Sequence, residues 1–466
     1  MNFENFSIEE YKTKLLNKEF SCETAVKYFV DKAKKDKKNA LVEVFDSALE
    51  NAKKIDAKIK KGEKLGSLVG VPIVIKDNIL FAGHKGAAGS RMLENFVSPY
   101  SATVVEKLVA ADAVIIARAN MDEMAMGVNG KHSAFGKTLN ALSDKHLPGG
   151  SSSGSAVALA ADMCLAALGT DTGGSVRYPA AQNGIFGLKP TYGSVSRYGV
   201  VAFASGIEQV GVFAKDGNDT KIVFDIIKGK DIRDARSLAQ TKQQKIETPY
   251  RVGYIKEIWD AYKDAPHFAL YQQAFERLKK NGCKVVEVSI PQIKNADSIY
   301  YALALPEAAS NLGRFDGVRY SPATDAENLD ELYNTTRTNL FGTEVKRRIM
   351  LGNFMLTASG IAEYYKRGLG NQAILRSQFE KAFSGVDFFV LPVSYGTAKR
   401  VDEETNDPVK DYVEDLFTCP ASLVGLPAVS TPLTEVGGLP LGMQILGNHF
   451  AEDAIFEFVK FWEKLS

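Results

Sequence analysis

The sequence predicts an α/β fold in a single domain, on three observations. Short runs of β-branched and apolar residues recur between helical stretches along the whole chain. One such region, residues 250–290, reads as strand, helix, strand, which implies a parallel strand pair. No internal repeat and no Pro-, Gly- or Ser-rich linker divides the 466 residues, so a length that would allow two or three domains is read as one.

Residues 1–60 set apolar positions at helical spacing (Tyr11, Leu15, Leu16, then Val26, Phe29, Val30) among charged ones, and read as a helical N-terminal layer. Its lysines, Lys34, Lys35, Lys37 and Lys38, are expected at a solvated helix end rather than on RNA. Residues 69–220 form the expected catalytic core. Val69–Ile75 is a strand that delivers Lys76 at its end, and Ala113–Ala117 is a second strand leading into the loop Asn120–Gly127. A small-residue helix is expected over Ala156–Leu168. Val252–Ile255, His267–Lys280 and Lys284–Ile290 make up the strand, helix, strand unit. Later strands are expected at Phe388–Val393, Ala428–Pro432 and Leu441–Leu446, and the polar stretch Gly229–Pro249 as a surface excursion.

Composition narrows the function classes. Lys plus Arg is 57 against 56 Asp plus Glu, a net charge of +1, so the chain has no bulk positive charge with which to hold a polyanion. The most apolar long stretch, Ala156–Gly169, is interrupted by Asp162 and falls short of the roughly 18 residues a membrane span needs. Met1–Lys14 carries Glu4, Glu9 and Glu10 and resembles neither a signal peptide nor a transit peptide. Cys22, Cys164, Cys283 and Cys419 form no C-x-x-C pair, which argues against a disulfide framework and a thiolate metal site and points to the cytoplasm.

Many of the 39 glycines gather between Gly149 and Gly211. Gly150-Ser151-Ser152-Ser153-Gly154 literally matches the G-x-S-x-G nucleophile elbow, with Ser152 as nucleophile. The elbow needs a strand immediately before it, and Asp144–Pro148 is polar and ends in proline, so the match reads as a decoy. No Lys and Ser/Thr follow Gly154, and no G-x-G-x-x-G follows a strand, so nucleotide binding has little support. Thr172-Gly173-Gly174-Ser175 is more informative: successive backbone N–H groups can converge there as an oxyanion hole beside the Ser175 hydroxyl. None of the five histidines is an obvious base for Ser175, which leaves a lysine held neutral by burial. Lys76, at the end of an apolar run, is the strongest candidate, against the commoner reading of a charge at a strand end.

Taken together, these segments resemble the amidase signature family, in which a Gly- and Ser-rich loop is followed at a fixed gap by a Gly-Gly-Ser nucleophile turn. Ser151 precedes Ser175 by 24 positions, and the resemblance places the family's lysine, bridging serine and nucleophile on Lys76, Ser151 and Ser175, with Thr172, Gly173 and Gly174 at the oxyanion hole. It also implies an open mixed sheet covered by helices on both faces. Gly187–Tyr198, Asn311–Tyr320, Lys346–Gly352 and Asp415–Pro427 are most similar to the branch that serves as glutaminase within three-subunit, tRNA-dependent amidotransferases. That similarity implies that Arg348 and Asp415 hold glutamine, with Tyr300 or its neighbour Tyr301 as a further contact. It implies no cofactor in this chain. ATP and Mg²⁺ would belong to a partner B subunit that activates Glu-tRNA(Gln) and carries most of the tRNA contacts, with a small C subunit clamping the pair.

Three residues depart from the pattern: Ser153 in place of glycine, Val212 in place of proline, and Tyr178 in place of glutamine. Two other readings stay open at this level: a stand-alone amidase for other small amides, and an inactive assembly subunit whose loop is altered by Ser153.

Overall fold

Eleven strands form one mixed sheet in the order β1-β3-β2-β4-β6-β5-β10-β11-β9-β7-β8. In chain order they are β1 Leu41–Val44, β2 Pro72–Lys76, β3 Val114–Ala119, β4 Ala166–Asp171, β5 Phe186–Lys189, β6 Gln209–Ala214, β7 Arg251–Ile255, β8 Lys284–Val288, β9 Phe388–Pro392, β10 Ala428–Val436 and β11 Leu439–Leu446. The structure, a computed structural model, describes residues 3–239, 246–320, 322, 325–403 and 415–465, the side chain of Asp415 excepted.

Pairing is parallel in two places, across β3-β2-β4 and across β9-β7-β8, and antiparallel between them and at the β1 edge. Every residue of β2, β3, β4, β6 and β9 is buried, as strands covered on both faces require, and this is why they read as continuous apolar runs rather than alternating ones. Edge strand β8 is instead exposed or half-exposed throughout. The strand, helix, strand unit is as expected, with β7 and β8 parallel and the helix Phe268–Lys280 between them.

Helices Ile8–Leu16 and Cys22–Ala33 open the N-terminal layer, each with a serine N-cap whose side chain accepts a backbone N–H (Glu10 N to Ser7, Thr24 N to Ser21). The layer is not wholly helical. β1 lies between the second helix and Ser47–Lys61, pairing antiparallel with β3. Its four residues are too few for an alternation to show in the sequence.

A second correction concerns Ala156–Leu168. The helix occupies Ser153–Ala160, the chain turns at Asp162 (φ 57°), and Ala166–Asp171 is strand β4 between β2 and β6. Small apolar residues buried on all sides carry neither a 3.6 nor a 2 period, so tertiary pairing decides the element. The described residues of the stretch Gly229–Pro249 are mostly exposed, as expected of a surface excursion, and two aspartates anchor its first half: Asp231 is buried and accepts from Ser196 Oγ (2.7 Å), and Asp234 pairs with Arg197. Residues 240–245 of that stretch lie outside the described residues. Among the described residues, no helix is long and apolar enough to cross a membrane.

Candidate active site

Parallel neighbours share an edge for their C-terminal ends, and β2 and β4 are such a pair. Lys76 is the last residue of β2 and Asp171 the last of β4, so the topology brings the lysine to the turn Thr172–Ser175. The loop before helix Ser153–Ala160 reaches the same place. This helix packs against the strands so closely that a Cβ on Gly154 would lie 2.1 Å from the Ala40 carbonyl oxygen, and only glycine fits.

Lys76 Nζ lies 2.8 Å from Ser151 Oγ and 2.9 Å from Thr170 Oγ1, which also accepts from Asn78 Nδ2 at 3.1 Å. Ser151 is fully buried, and its carbonyl accepts the Asp122 N–H (3.2 Å). The next residue fastens the loop to the nucleophile turn, with Ser152 N donating to Ser175 O at 3.2 Å. Ser175 is only half-buried and lines a narrow cleft. Among the described residues, no acceptor takes the backbone N–H groups of Thr172, Gly173, Gly174 and Ser175. Gly174 has φ +140°, and a Cβ there would lie 2.2 Å from Thr418 Oγ1, so the turn requires glycine. Thr418 Oγ1 in turn donates to Gly173 O (2.5 Å), holding that carbonyl away from the cleft's donors.

Burial pulls the Lys76 ammonium down to about 7, against the opposing effect of Glu208, Asp122 and Asp171. Lys189 is equally buried and also reaches about 7, but its Nζ donates to Pro190 O. Contact with a serine hydroxyl, not desolvation, separates the two lysines.

Sequence reasoning did not single out the pair that braces the turn. Arg177 and Asp171 are both fully buried, with Nη2 to Oδ1 at 2.9 Å and Nε to Oδ2 at 3.1 Å. Arg177 also donates to Thr418 O (2.8 Å), Gln444 Oε1 (2.9 Å) and Ser422 Oγ (3.0 Å), tying the turn to helix Asp415–Val424 and to β11. Burial alone would raise the Asp171 carboxyl, but the Arg177 charge and hydrogen bonds win and hold it below the usual carboxylate range. The available signal was two opposite charges flanking a run of small, uncharged residues.

The cleft beside Ser175 is lined by Gly150, Gly173, Gly174, Tyr178, Tyr300, Arg348 and Thr418, among others. Tyr300 is buried and reaches it, whereas Tyr301 is half-buried, its ring centre 5.9 Å from the Arg348 guanidinium carbon. Arg348 is only 3% exposed, which excludes a surface ion pair; its Nε donates to Glu344 Oε1 at 2.7 Å one helical turn away. Asp415 begins helix Asp415–Val424, but its side chain lies outside the described residues.

The three departures find different places. Ser153 is buried against Gly130, its Oγ 3.4 Å from Thr138 Oγ1, while Ser151 keeps its contact with Lys76. Val212 pairs within β6 against Leu168 and Leu188, and Tyr178 joins the cleft lining. The elbow serine, Ser152, is occupied: its Oγ donates to Thr170 O (3.1 Å) and accepts from Thr170 N (3.3 Å).

Comparison with known proteins gives a consistent picture. The family described as Amidase matches residues 24–456. The chain is 47% identical over 429 residues to the A subunit of glutamyl-tRNA(Gln) amidotransferase from Symbiobacterium thermophilum, covering 90% of this chain and 88% of that one. It is 41% identical to the corresponding protein of Caldanaerobacter subterraneus subsp. tengcongensis, covering 100% and 97%. Among solved structures, the protein of the same name from Thermotoga maritima superimposes with a TM-score of 0.79 at 34% identity, over 98% of this chain and 94% of that one. The native peptide amidase of Stenotrophomonas maltophilia gives 0.81 at 27% identity, over 99% and 96%.

Proposed function

The chain belongs to the amidase family, and from that premise we propose that it is the glutamine-hydrolysing subunit of a tRNA-dependent amidotransferase. The observation that carries the chemistry is the fully buried Lys76 amine 2.8 Å from Ser151 Oγ, in a loop bonded to the Ser175 turn. Neutral Lys76 takes the Ser151 proton while Ser151 takes that of Ser175, and Ser175 Oγ attacks the side-chain amide carbon of glutamine. The oxyanion forms against the uncommitted N–H groups of Thr172, Gly173, Gly174 and Ser175. The proton returns to the leaving nitrogen as the C–N bond breaks, and ammonia departs. Water then attacks the acyl-enzyme by the reverse proton path and frees glutamate.

Arg348 suits the α-carboxylate, which a guanidinium can grip with two donors, and Tyr300 lines the same cleft. Asp415 is assigned to the α-ammonium. The ammonia passes to a B subunit that uses ATP and Mg²⁺ on Glu-tRNA(Gln), with a C subunit completing a cytoplasmic heterotrimer. The net charge of +1 accords with tRNA contacts lying mainly on the partner.

Two measurements test this reading. Glutamine is expected to be hydrolysed far faster than simple aliphatic amides, and Arg348→Met to raise KM for glutamine by about 10- to 100-fold, a charge-assisted hydrogen bond being worth roughly 1.5–3 kcal/mol. Aliphatic amides, which lack the carboxylate, are expected to show no such loss. Equal losses on both substrate classes would favour a general amidase. The second concerns pH. The base must be neutral, so hydrolysis is expected to rise with pH through a midpoint near 7, as Lys76 gives up its proton. A rate that stays flat with pH across that midpoint would remove Lys76 as the base.

A further inference from the structure

Glu208 is a buried carboxylate that the mechanism above does not use. It immediately precedes β6, whose Gln209 pairs with Asp171 and whose Val210 pairs with Thr170, the residue that receives Lys76. It is 2% exposed. Its Oε2 accepts the Phe203 N–H at 3.0 Å, while Oε1 is buried with no hydrogen-bond partner among the described residues. A carboxylate left half-satisfied in the interior is costly unless a charge nearby compensates it.

The surroundings leave Lys76, in its protonated form, as that charge. Arg197 faces Glu208 but is committed to Asp234, with Nη2 to Oδ1 at 2.7 Å and Nε to Oδ2 at 2.9 Å. Glu307, from helix Ala296–Leu312, is a like charge and accepts the Gly206 N–H. Facing Lys76 are Glu208, Asp122 and Asp171. Asp122 accepts from Gly130 N (3.0 Å) and His132 N (2.9 Å), and Asp171 is paired with Arg177. The Glu208–Lys76 interaction is mutual: burial raises the Glu208 carboxyl, and the Phe203 N–H and the Lys76 charge oppose the rise, while Glu208 in turn opposes the effect of burial on Lys76.

We infer that Glu208 is a positioning residue for the reaction proposed above, the counter-ion that stabilises Lys76 in the protonated form it takes when Ser175 attacks. No proton moves to Glu208. The Ser175 proton reaches Ser151, the Ser151 proton reaches Lys76 Nζ, and the Glu208 carboxylate stays ionised opposite the new ammonium. The inference rests on the Lys76 reading.

The test uses the chain assembled with its partner subunits and follows glutamine hydrolysis against pH. Removing the anion in Glu208→Gln makes Lys76 a weaker base. The acid limb of kcat/KM is expected to move to lower pH, and plateau kcat to fall about 10- to 100-fold with KM changed less than about twofold. Glu208→Asp keeps the charge at a greater distance and is expected to shift the limb less and recover part of kcat. An acid limb unmoved in both variants, whatever their thermal stability, overturns the inference, because a purely structural role would lower stability without moving the limb. Full hydrolysis by Ser175→Ala would instead overturn the underlying mechanism and is read independently.

Discussion

Replacing Ser175 with alanine is expected to cut glutamine hydrolysis by at least about four orders of magnitude, with the fold intact. The loss is large because the proposed mechanism takes its bond-forming atom from this residue, and the groups of such a triad act as a unit. The substitution adds no volume: the alanine Cβ occupies the position of the serine Cβ in a half-buried turn. Neighbouring hydrogen bonds survive as well, since Ser152 N donates to the Ser175 carbonyl rather than to its hydroxyl. Ammonia release by the purified complex measures the effect. Ser152→Ala is the matched control, because among the described residues its hydroxyl is bonded only to the Thr170 backbone and serves the loop. It is expected to cost far less than Ser175→Ala. If the order were reversed, the nucleophile would be the elbow serine, Ser152.

The second large effect is on stability. Arg177→Met is expected to destabilise the chain by about 3–5 kcal/mol, the range for removing one partner of a buried ion pair. The change leaves Asp171 buried beside Lys189 without its main counter-charge and takes the donor from Thr418 O, Gln444 Oε1 and Ser422 Oγ together. Calorimetry should show a lower unfolding midpoint, and activity should fall more steeply than stability because the Thr172–Ser175 turn loses its brace. An unchanged midpoint would mean that the backbone donors Val176 N and Arg177 N, which also serve Asp171, suffice to hold it.

The parts of the site legible in the sequence share a physical property: they are local. Gly174 is needed because of its own φ and one near neighbour, and Ser151 and Ser175 stand in segments whose composition is unusual in itself. Lys76 stood out weakly, as a charge at the end of an apolar run, and the family resemblance made it a strong candidate. Tyr300 and Tyr301 could not be told apart along the chain, since adjacent helical residues differ only in the direction they face; the packing of helix Ala296–Leu312 points Tyr300 into the cleft. Glu208 gave no signal, because an orphaned carboxylate oxygen is a property of the surroundings.

By itself the sequence determined the α/β class, the parallel β7–β8 unit and the glycine turns, and its resemblance to the amidase signature family nominated the lysine and two serines proposed to carry acyl transfer without histidine. Periodicity, turn chemistry and residue type are written into short stretches and survive without knowledge of the rest of the chain. Only the tertiary structure decided that Ala166–Asp171 is a strand, that Lys76 rather than Lys189 meets a serine, and that Arg177 and Glu208 flank the site. Each of those outcomes depends on desolvation and pairing among residues up to 267 positions apart, as between Arg177 and Gln444. The energy of a buried charge is set by what the fold brings beside it, and no local pattern encodes that.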